Sequence, residues 1–462
     1  MTASAGNRFN SRGKQDVAAF PGRSRSRMTD HSMTNTAATI WPLAGGRLTR
    51  RDEGPPRFLI GLHLSSRRKE LNAALLKITG RGLSAGYEFV TATSLQDERF
   101  ALADEVASAS GFSDVNHAAF LAECAAEAIQ TLSANHNPDE GTILACALHG
   151  FGQWQEDPLD GYRYRPWCDT SLLSQATGLT VIDDLPGRDL AYGGRGGPLE
   201  ATGFWMLLGD PGKIAGRQIR AILEFEDRLR LTLLPPRQAV QLSQHLISHE
   251  IAPGNSLLEA ITGELLDSPI QDPHGKLAVQ GCNRPTLLRR WHEELDRNQS
   301  TDWTPTGPAT DGLIDILRMT TTERAVTVHD TLCTATNLLA DRVATHIKEK
   351  LPKSQPVGQL ILTGTGEDNG LFVRELKRRI GEIEFGTVTS WQIPPRSLTA
   401  AATAVLAQFH LDQIPGNSPP LTGTDVPRIL GRLTPGNPAN WYEVLATMAS
   451  TLPDKLPLRS AV

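Results

Sequence analysis

The chain opens without a pattern and then settles into one. Residues 1–56 are rich in Ser, Arg and Thr and show no apolar periodicity, which predicts a disordered extension. Met28 and Met33 lie inside it as alternative starts. From Arg57 the pattern changes. Short apolar or alternating runs at 58–64, 73–79 and 88–93 predict a three-stranded antiparallel opening. After Asp114, a predicted N-cap, Phe120, Cys124, Ala128 and Leu132 recur at helical spacing and should face a core. Runs at 142–148 and 179–182 read as buried strands, the second ending in Asp183 and Asp184.

The order then starts again. Residues 219–225 and 229–234 predict two strands with a tight connection. Helices are predicted over 238–248, 256–265 and 285–297. A longer helix is predicted from Thr322 to about Lys350, with Val328, Leu332, Ala335, Leu339, Val343 and Ile347 as its apolar stripe. Thr320 and Glu323 stand at capping-box spacing before it. A strand over 358–363 should open into Gly364-Thr365-Gly366, followed by a helix carrying Val373 and Leu376 and an apolar helix over 400–411. From Gly416 onward Pro and Gly predict an irregular tail. Strands, helix and strand, twice over, predict two α/β domains at 57–217 and 218–440. A cleft should lie between them, and a tail at 441–462.

Composition narrows the function. The 462 residues are 39% hydrophobic and 21% charged, enough for two or three cored domains. Lys plus Arg is 46 against 51 for Asp plus Glu, so the net charge of −5 gives no footprint for nucleic acid. No stretch reaches the roughly 18 apolar residues of a membrane span. The five cysteines lack C-x-x-C spacing, which argues against a zinc site or disulfide framework and suits reduced thiols in the cytoplasm. No secretory h-region is visible. A homodimer is left open.

The densest chemistry lies between Asp183 and Leu199: three carboxylates, two arginines and five glycines after a buried strand. A carboxylate at a strand's carboxyl end is well placed to act as a base. Glycine lets a backbone approach a ligand or take positive φ. Composition alone equally describes a Gly-rich turn with solvated charges.

The segment resembles the signature of the anhydro-N-acetylmuramic acid kinase family, D-F-R-x-R-D-[VL]-A-x-G-G-x-G-[AG]-P-L. Asp184, Arg188, Asp189, Ala191, Gly193, Gly194, Gly196, Pro198 and Leu199 match it. His149-Gly150 resembles the family's S-H-G-Q, and Pro253-Gly254-Asn255 the end of D-T-G-P-G-N. Asp272, Gly275, Ala278 and Gly281 resemble D-x-x-G-x-x-A-x-x-G. Gly416-Asn417 to Thr422-Gly423, Leu430-Gly431 and Pro435-Gly436 resemble its C-terminal motifs. The resemblance implies two ribonuclease-H-like domains of the acetate kinase, sugar kinase and actin superfamily. It implies opening of the 1,6-anhydro ring of an amino sugar and its 6-phosphorylation, in peptidoglycan recycling, with ATP and Mg²⁺. It makes Asp184 the base that activates water. His149, Arg188, Asp189, Gly193, Gly194 and Gly196 fall on the sugar side. Ser65, Ser66, Arg67, Gly254, Asn255, Gly364, Gly366 and Asn369 fall on the nucleotide side, with Glu250 toward the metal.

The nucleotide side departs from the family. Its G-L-M-S-G-T-S-L-D-G-[VI]-D reads here from Gly61 to Asn72, with Ser65 for a glycine and Lys69 for an acid. N-I-G-G-I-A-N reads from Glu224 to Arg230, with Glu226 and Asp227 for the glycines. Carboxylates repel a polyphosphate unless a metal intervenes. S-T-G-R-E reads Pro305-Thr306-Gly307-Pro308-Ala309. G-G-G-x-x-N reads Gly364-Thr365-Gly366-Glu367-Asp368-Asn369. Two functions follow: an ATP-dependent kinase of the anhydro sugar, or a pseudokinase of the family that binds sugar or a partner. A third, hydrolysis of the anhydro sugar without ATP, has nothing to drive it. His245 and His249 read as surface residues rather than a metal pair. Trp154, Trp167, Trp205 and Trp291 could stack on a sugar but read first as packing. Cys168 lacks a flanking base.

Overall fold

The computed structural model of the protein describes residues 55–65, 69–100, 115–157, 161–209, 219–237, 246–266, 268–270, 272, 274–297, 300, 302–305, 307–323, 326–351 and 356–450. The expected extension at 1–56 therefore lies almost wholly outside the described residues.

Strands β1 (Arg57–Ser65), β2 (Glu70–Thr79) and β3 (Gly86–Gln96) form the antiparallel opening that the alternation predicts. Helix α1 (Val115–Ala134) packs on β2 and β3, burying Ala128 and Leu132. Strand β4 (Ile143–His149) returns parallel to β1. A separate hairpin follows, β5 (Gly152–Asp157) with β6 (Gly161–Pro166). Helix α2 (Thr170–Thr177) starts where the Asp169 carboxylate accepts the Ser171 and Leu172 N–H groups, and ends at left-handed Gly178. Strand β7 (Thr180–Asp183) then joins parallel to β4, and α3 (Leu185–Ala191) and α4 (Glu200–Leu208) follow.

The second half repeats the first. β8 (Ile219–Phe225), β9 (Arg228–Leu234) and β10 (Ile247–Pro253) are antiparallel neighbours. Helices α5 (Asn255–Leu266), α6 (Pro285–Arg297), α7 (Asp311–Glu323) and α8 (Val328–Thr345) intervene. β11 (Val357–Gly364) then pairs parallel to β8, and after α9 (Gly370–Ile380) β12 (Glu384–Thr387) pairs parallel to β11. The orders β3-β2-β1-β4-β7 and β10-β9-β8-β11-β12 are one topology used twice. This is the α/β, doubled ribonuclease-H-like class that the resemblance implies.

Three expectations change. Residues 247 and 248, expected at a helix end, begin β10 because the sheet needs a third antiparallel strand beside β9; residues 238–245 lie outside the described residues. The long helix is two. Thr320 sits inside α7, its hydroxyl donating to the Ile316 carbonyl, and Thr327 caps α8 by accepting the Asp330 N–H. The tail is ordered as far as residue 450, the last one described: β13 (Arg432–Thr434) pairs with β7, and α11 (Pro438–Ala449) packs on β4 and β7.

Helix α10 (Leu398–Leu411) also returns to the first sheet, although it lies within 218–440. It packs on β1, β2, β4 and α4, and all but one of its residues are buried. Gly61 makes the approach feasible, since a Cβ there would overlap the Ala400 carbonyl and Ala404 nitrogen. Leu59, Ala147 and Ile182 of the first sheet share one core with Ile222, Leu234 and Ile361 of the second, through α4 and α10.

Candidate functional site

The parallel strands β1, β4 and β7 end, at their carboxyl edges, in His63, His149 and Asp183-Asp184. Open α/β sheets bind ligands beyond this edge. Asp183 pairs with Arg432 across the β7–β13 register, and the guanidinium donates to both carboxylate oxygens at 2.8 and 2.7 Å. Its charge is thereby used. Asp184 is not. It adopts left-handed φ 51°, turns directly into α3, and its Oδ1 is buried with no hydrogen-bond partner among the described residues. Burial pushes its carboxyl above the usual range; Arg432 opposes this and Asp183 adds to it. Gly187 is required beneath it, because a Cβ there would lie 2.6 Å from Oδ1. Asp184, Gly187, Arg188, His410 and Arg432 line a cavity of about 410 Å³. Arg188 is exposed at its rim. His410 donates from Nδ1 to the Leu430 carbonyl, which leaves Nε2 as an acceptor; burial holds it neutral by lowering its pKa.

The glycine loop folds inward. Asp189 is fully buried, and its carboxylate accepts the Gly196 N–H at 2.7 Å, the Thr422 hydroxyl at 2.6 Å and the Asn417 amide. Those oxygens are committed to holding the loop, so the substrate role expected of Asp189 gives way to a positioning one. Gly194 is needed because a Cβ would overlap Asp189, and Gly196 because a Cβ would overlap Trp154. Gly193, at φ 78°, has an open face.

His149 lies behind this edge, its Nε2 4.0 Å from Glu200 of α4. Its Nδ1 is buried and unpaired among the described residues, and burial lowers its pKa, so it is neutral. Arg230 of β9 donates to Glu200 and, twice, to Glu224 of β8 at 2.7 and 2.8 Å. Burial would raise the Glu200 carboxyl, but the Arg230 guanidinium outweighs it and brings it to about 2. This buried network ties the first sheet's helix to the second sheet.

Of the nucleotide-side residues, Gly254 and Asn255 meet the turn at 226–227 and the Gly364–Gly366 segment. Ser65 ends β1 opposite Glu70, and Ser66 and Arg67 lie outside the described residues. Lys69 pairs with Glu98. The β8–β9 hairpin turns at Glu226 and Asp227, whose carbonyls accept the Asn255 and Gly254 N–H groups at 2.7 and 2.8 Å. The donors at the start of α5 are therefore consumed. Asn255 donates to the Thr365 hydroxyl at 2.7 Å, and Asn369 caps α9 by accepting the Phe372 N–H at 3.0 Å. The Glu226 carboxylate lies over Gly364, and Phe225 over Gly366, where any Cβ would overlap them. The open faces expected to receive a nucleotide are filled by this chain. Glu250, expected to face a metal, is buried against the Arg228 guanidinium instead. No group of three His, Cys, Asp or Glu able to hold a metal exists among the described residues. Each unit-charge repulsion at about 4 Å costs ~4 kcal/mol at an effective dielectric near 20. As arranged, Glu226 and Phe225 crowd the glycines that the resemblance places on the nucleotide side.

Arg432, His410, Glu200 and Arg230 carry no local signal that sequence reasoning could use. Each is defined by a partner from another strand or helix. His249 is on β10, not on a helix, and bonds His346 at 2.7 Å. The described cysteines are all unpaired thiols. No helix among the described residues is long and apolar enough to cross a membrane.

A family model described as anhydro-N-acetylmuramic acid kinase matches residues 95–436, beginning beyond the β1–β2 connection. A relative of that name from Synechococcus sp. (strain CC9902) is 28% identical over 320 residues, covering 68% of this chain and 82% of its own. Another, from Cupriavidus pinatubonensis (strain JMP 134 / LMG 1197), is 27% identical over 325 residues, covering 68% and 81%. Among solved structures, the glucokinase from Balamuthia mandrillaris in complex with glucose aligns at 12% identity and a TM-score of 0.31, covering 76% of this chain and 93% of that one.

Proposed function

The chain belongs to the anhydro-N-acetylmuramic acid kinase family, and from that premise we propose that it binds a 1,6-anhydro-N-acetylmuramic acid type sugar at the Asp184 cavity while its phosphoryl-transfer side is closed. The observation that carries this is the contrast between the two sides. Asp184 keeps a buried, unpartnered Oδ1 beside a cavity, whereas Glu226 fills the face of Gly364. Oδ1 is the atom that would take a proton from a water at the anomeric carbon; burial raises its carboxyl pKa. Arg188 at the rim offers a guanidinium to the sugar's lactyl carboxylate. Neutral His410 offers Nε2 to a hydroxyl. Asp189 holds the loop, and His149 stands behind the edge. The protein would serve amino-sugar recycling from peptidoglycan in the cytoplasm.

The second reading is the complete reaction, ATP-dependent ring opening and 6-phosphorylation; the family match across 95–436 favours it. Calorimetry on the full chain separates the two. The expected result is heat with the anhydro sugar, none with Mg²⁺-ATP, and nucleotide heat gained by the Glu226→Gly, Asp227→Gly double variant. Mg²⁺-ATP binding and sugar phosphorylation by the unaltered protein would establish the kinase and overturn the closure. Absence of heat with the sugar would sink the reading as a whole.

A further inference from the structure

We propose that Trp154 and Trp303 form the wall on which the sugar ring stacks, making them the contacts that set specificity at the Asp184 cavity. This rests on the sugar-binding reading above and names the subsite that carries it.

The tryptophans among the described residues differ in their surroundings. Trp167, Trp205 and Trp291 are core residues, at most 5% exposed. The indole N–H of Trp205 donates to Pro235 at 2.7 Å, and that of Trp291 to Leu313 at 2.8 Å. Trp154 on β5 and Trp303 before α7 are different. Both are half-buried, and each ring lies against a glycine of the loop that follows Asp184. Their rings meet edge to face, with centroids 5.4 Å apart, and Tyr164 extends the cluster 5.0 Å from Trp154.

The cluster has a fixed seat. Trp154 rests on Gly196 and Trp303 on Gly197; a Cβ on Gly197 would lie 2.6 Å from the Trp303 ring. The two glycines continue the loop that leaves Asp184 through α3. Tyr164 joins the wall to the cavity, since its strand β6 packs on α3, the helix that leaves Asp184. The Trp303 segment is anchored by Arg228, which donates to the Thr304 and Pro305 carbonyls and lies 5.9 Å from the Trp303 ring. Arg195 lies 3.7 Å from Asp302. One indole thus comes from each half of the chain.

A bicyclic anhydro sugar matches this wall. Its ring bridge presents a compact face of C–H bonds, which packs on an indole, and an indole N–H can serve a ring or acetyl oxygen.

The test is calorimetry of the full chain with 1,6-anhydro-N-acetylmuramic acid, on the unaltered protein, Trp303→Leu, Trp154→Leu and Trp303→Phe. Either leucine variant should weaken binding about tenfold or more, and phenylalanine should recover most of it. Thermal melts accompany each titration. Sugar should also shift the indole emission of the unaltered protein, and less so in Trp303→Phe, a readout that needs no destabilised variant. Folded leucine variants that bind like the unaltered protein, or an emission that sugar leaves unmoved despite measurable heat, would overturn the wall and leave the sugar reading intact. No heat in the unaltered protein would remove both.

Discussion

Replacing Asp184 by Asn should stabilise the protein at neutral pH while removing the base. Asp184 is half-buried, and its Oδ1 accepts no hydrogen bond among the described residues. Burial raises its pKa, so the folded state prefers the protonated carboxyl. The sign follows from linkage. Its contribution is fully favourable below the ordinary aspartate value and is lost as pH rises through the raised folded value. At pH 7 the ionised side chain is therefore a net cost, which a neutral amide does not incur. An unsatisfied buried acceptor costs about 1–3 kcal/mol. Partial exposure and the nearby Arg432 reduce this, leaving an expected gain of about 1 kcal/mol. Asn tolerates the left-handed φ of 51° there as readily as Asp, so no backbone penalty offsets the gain. In a chain of this size the melting temperature should rise by about 1–2 °C. The assay is thermal and urea melts of both proteins at pH 7 and at pH 3.5. The advantage should be present at pH 7 and shrink at pH 3.5, where both side chains are neutral. A variant less stable than the unaltered protein at pH 7, or an advantage independent of pH, would refute the account of a carboxylate with a buried, unpartnered Oδ1.

Two further substitutions probe the frame around the site. Gly61→Ala should destabilise by about 3 kcal/mol or more in urea unfolding, because its Cβ would meet backbone atoms of α10 that cannot swing aside. Asp189→Asn should cost about 2–3 kcal/mol, since a fully buried acceptor of three hydrogen bonds gains an amide NH₂ that opposes donors; an unchanged urea midpoint would show that the loop holds without it.

What the sequence by itself determined is local and periodic. Apolar runs mark β1, β2, β4, β7, β8 and β9, alternation marks β3, and helical spacing marks α1, because burial leaves a pattern in the chain. The clustered motif at Asp184 was legible for the same reason: its residues are neighbours in sequence. The third strand β10 was missed, because its helix-like stretch is settled only by the open edge of β9. The break between α7 and α8 is hidden in the sequence because Thr327 competes with an equally good capping pattern seven residues earlier, at Thr320.

Tertiary structure alone decided which charges are spent. Asp183 and Asp184 are adjacent and chemically identical, yet Arg432, nearly 250 residues away, neutralises one and leaves the other facing a cavity. Glu250 and Glu226 read as residues toward a metal and phosphates, until the fold set Arg228 against the first and Gly364 beneath the second. Trp154 and Trp303 became a pair only because the two halves of the chain meet over the glycine loop. A linear pattern records how much each position is buried. It does not record which distant group lies across from it, and for a charge or an indole that partner determines whether it packs the core or faces a ligand.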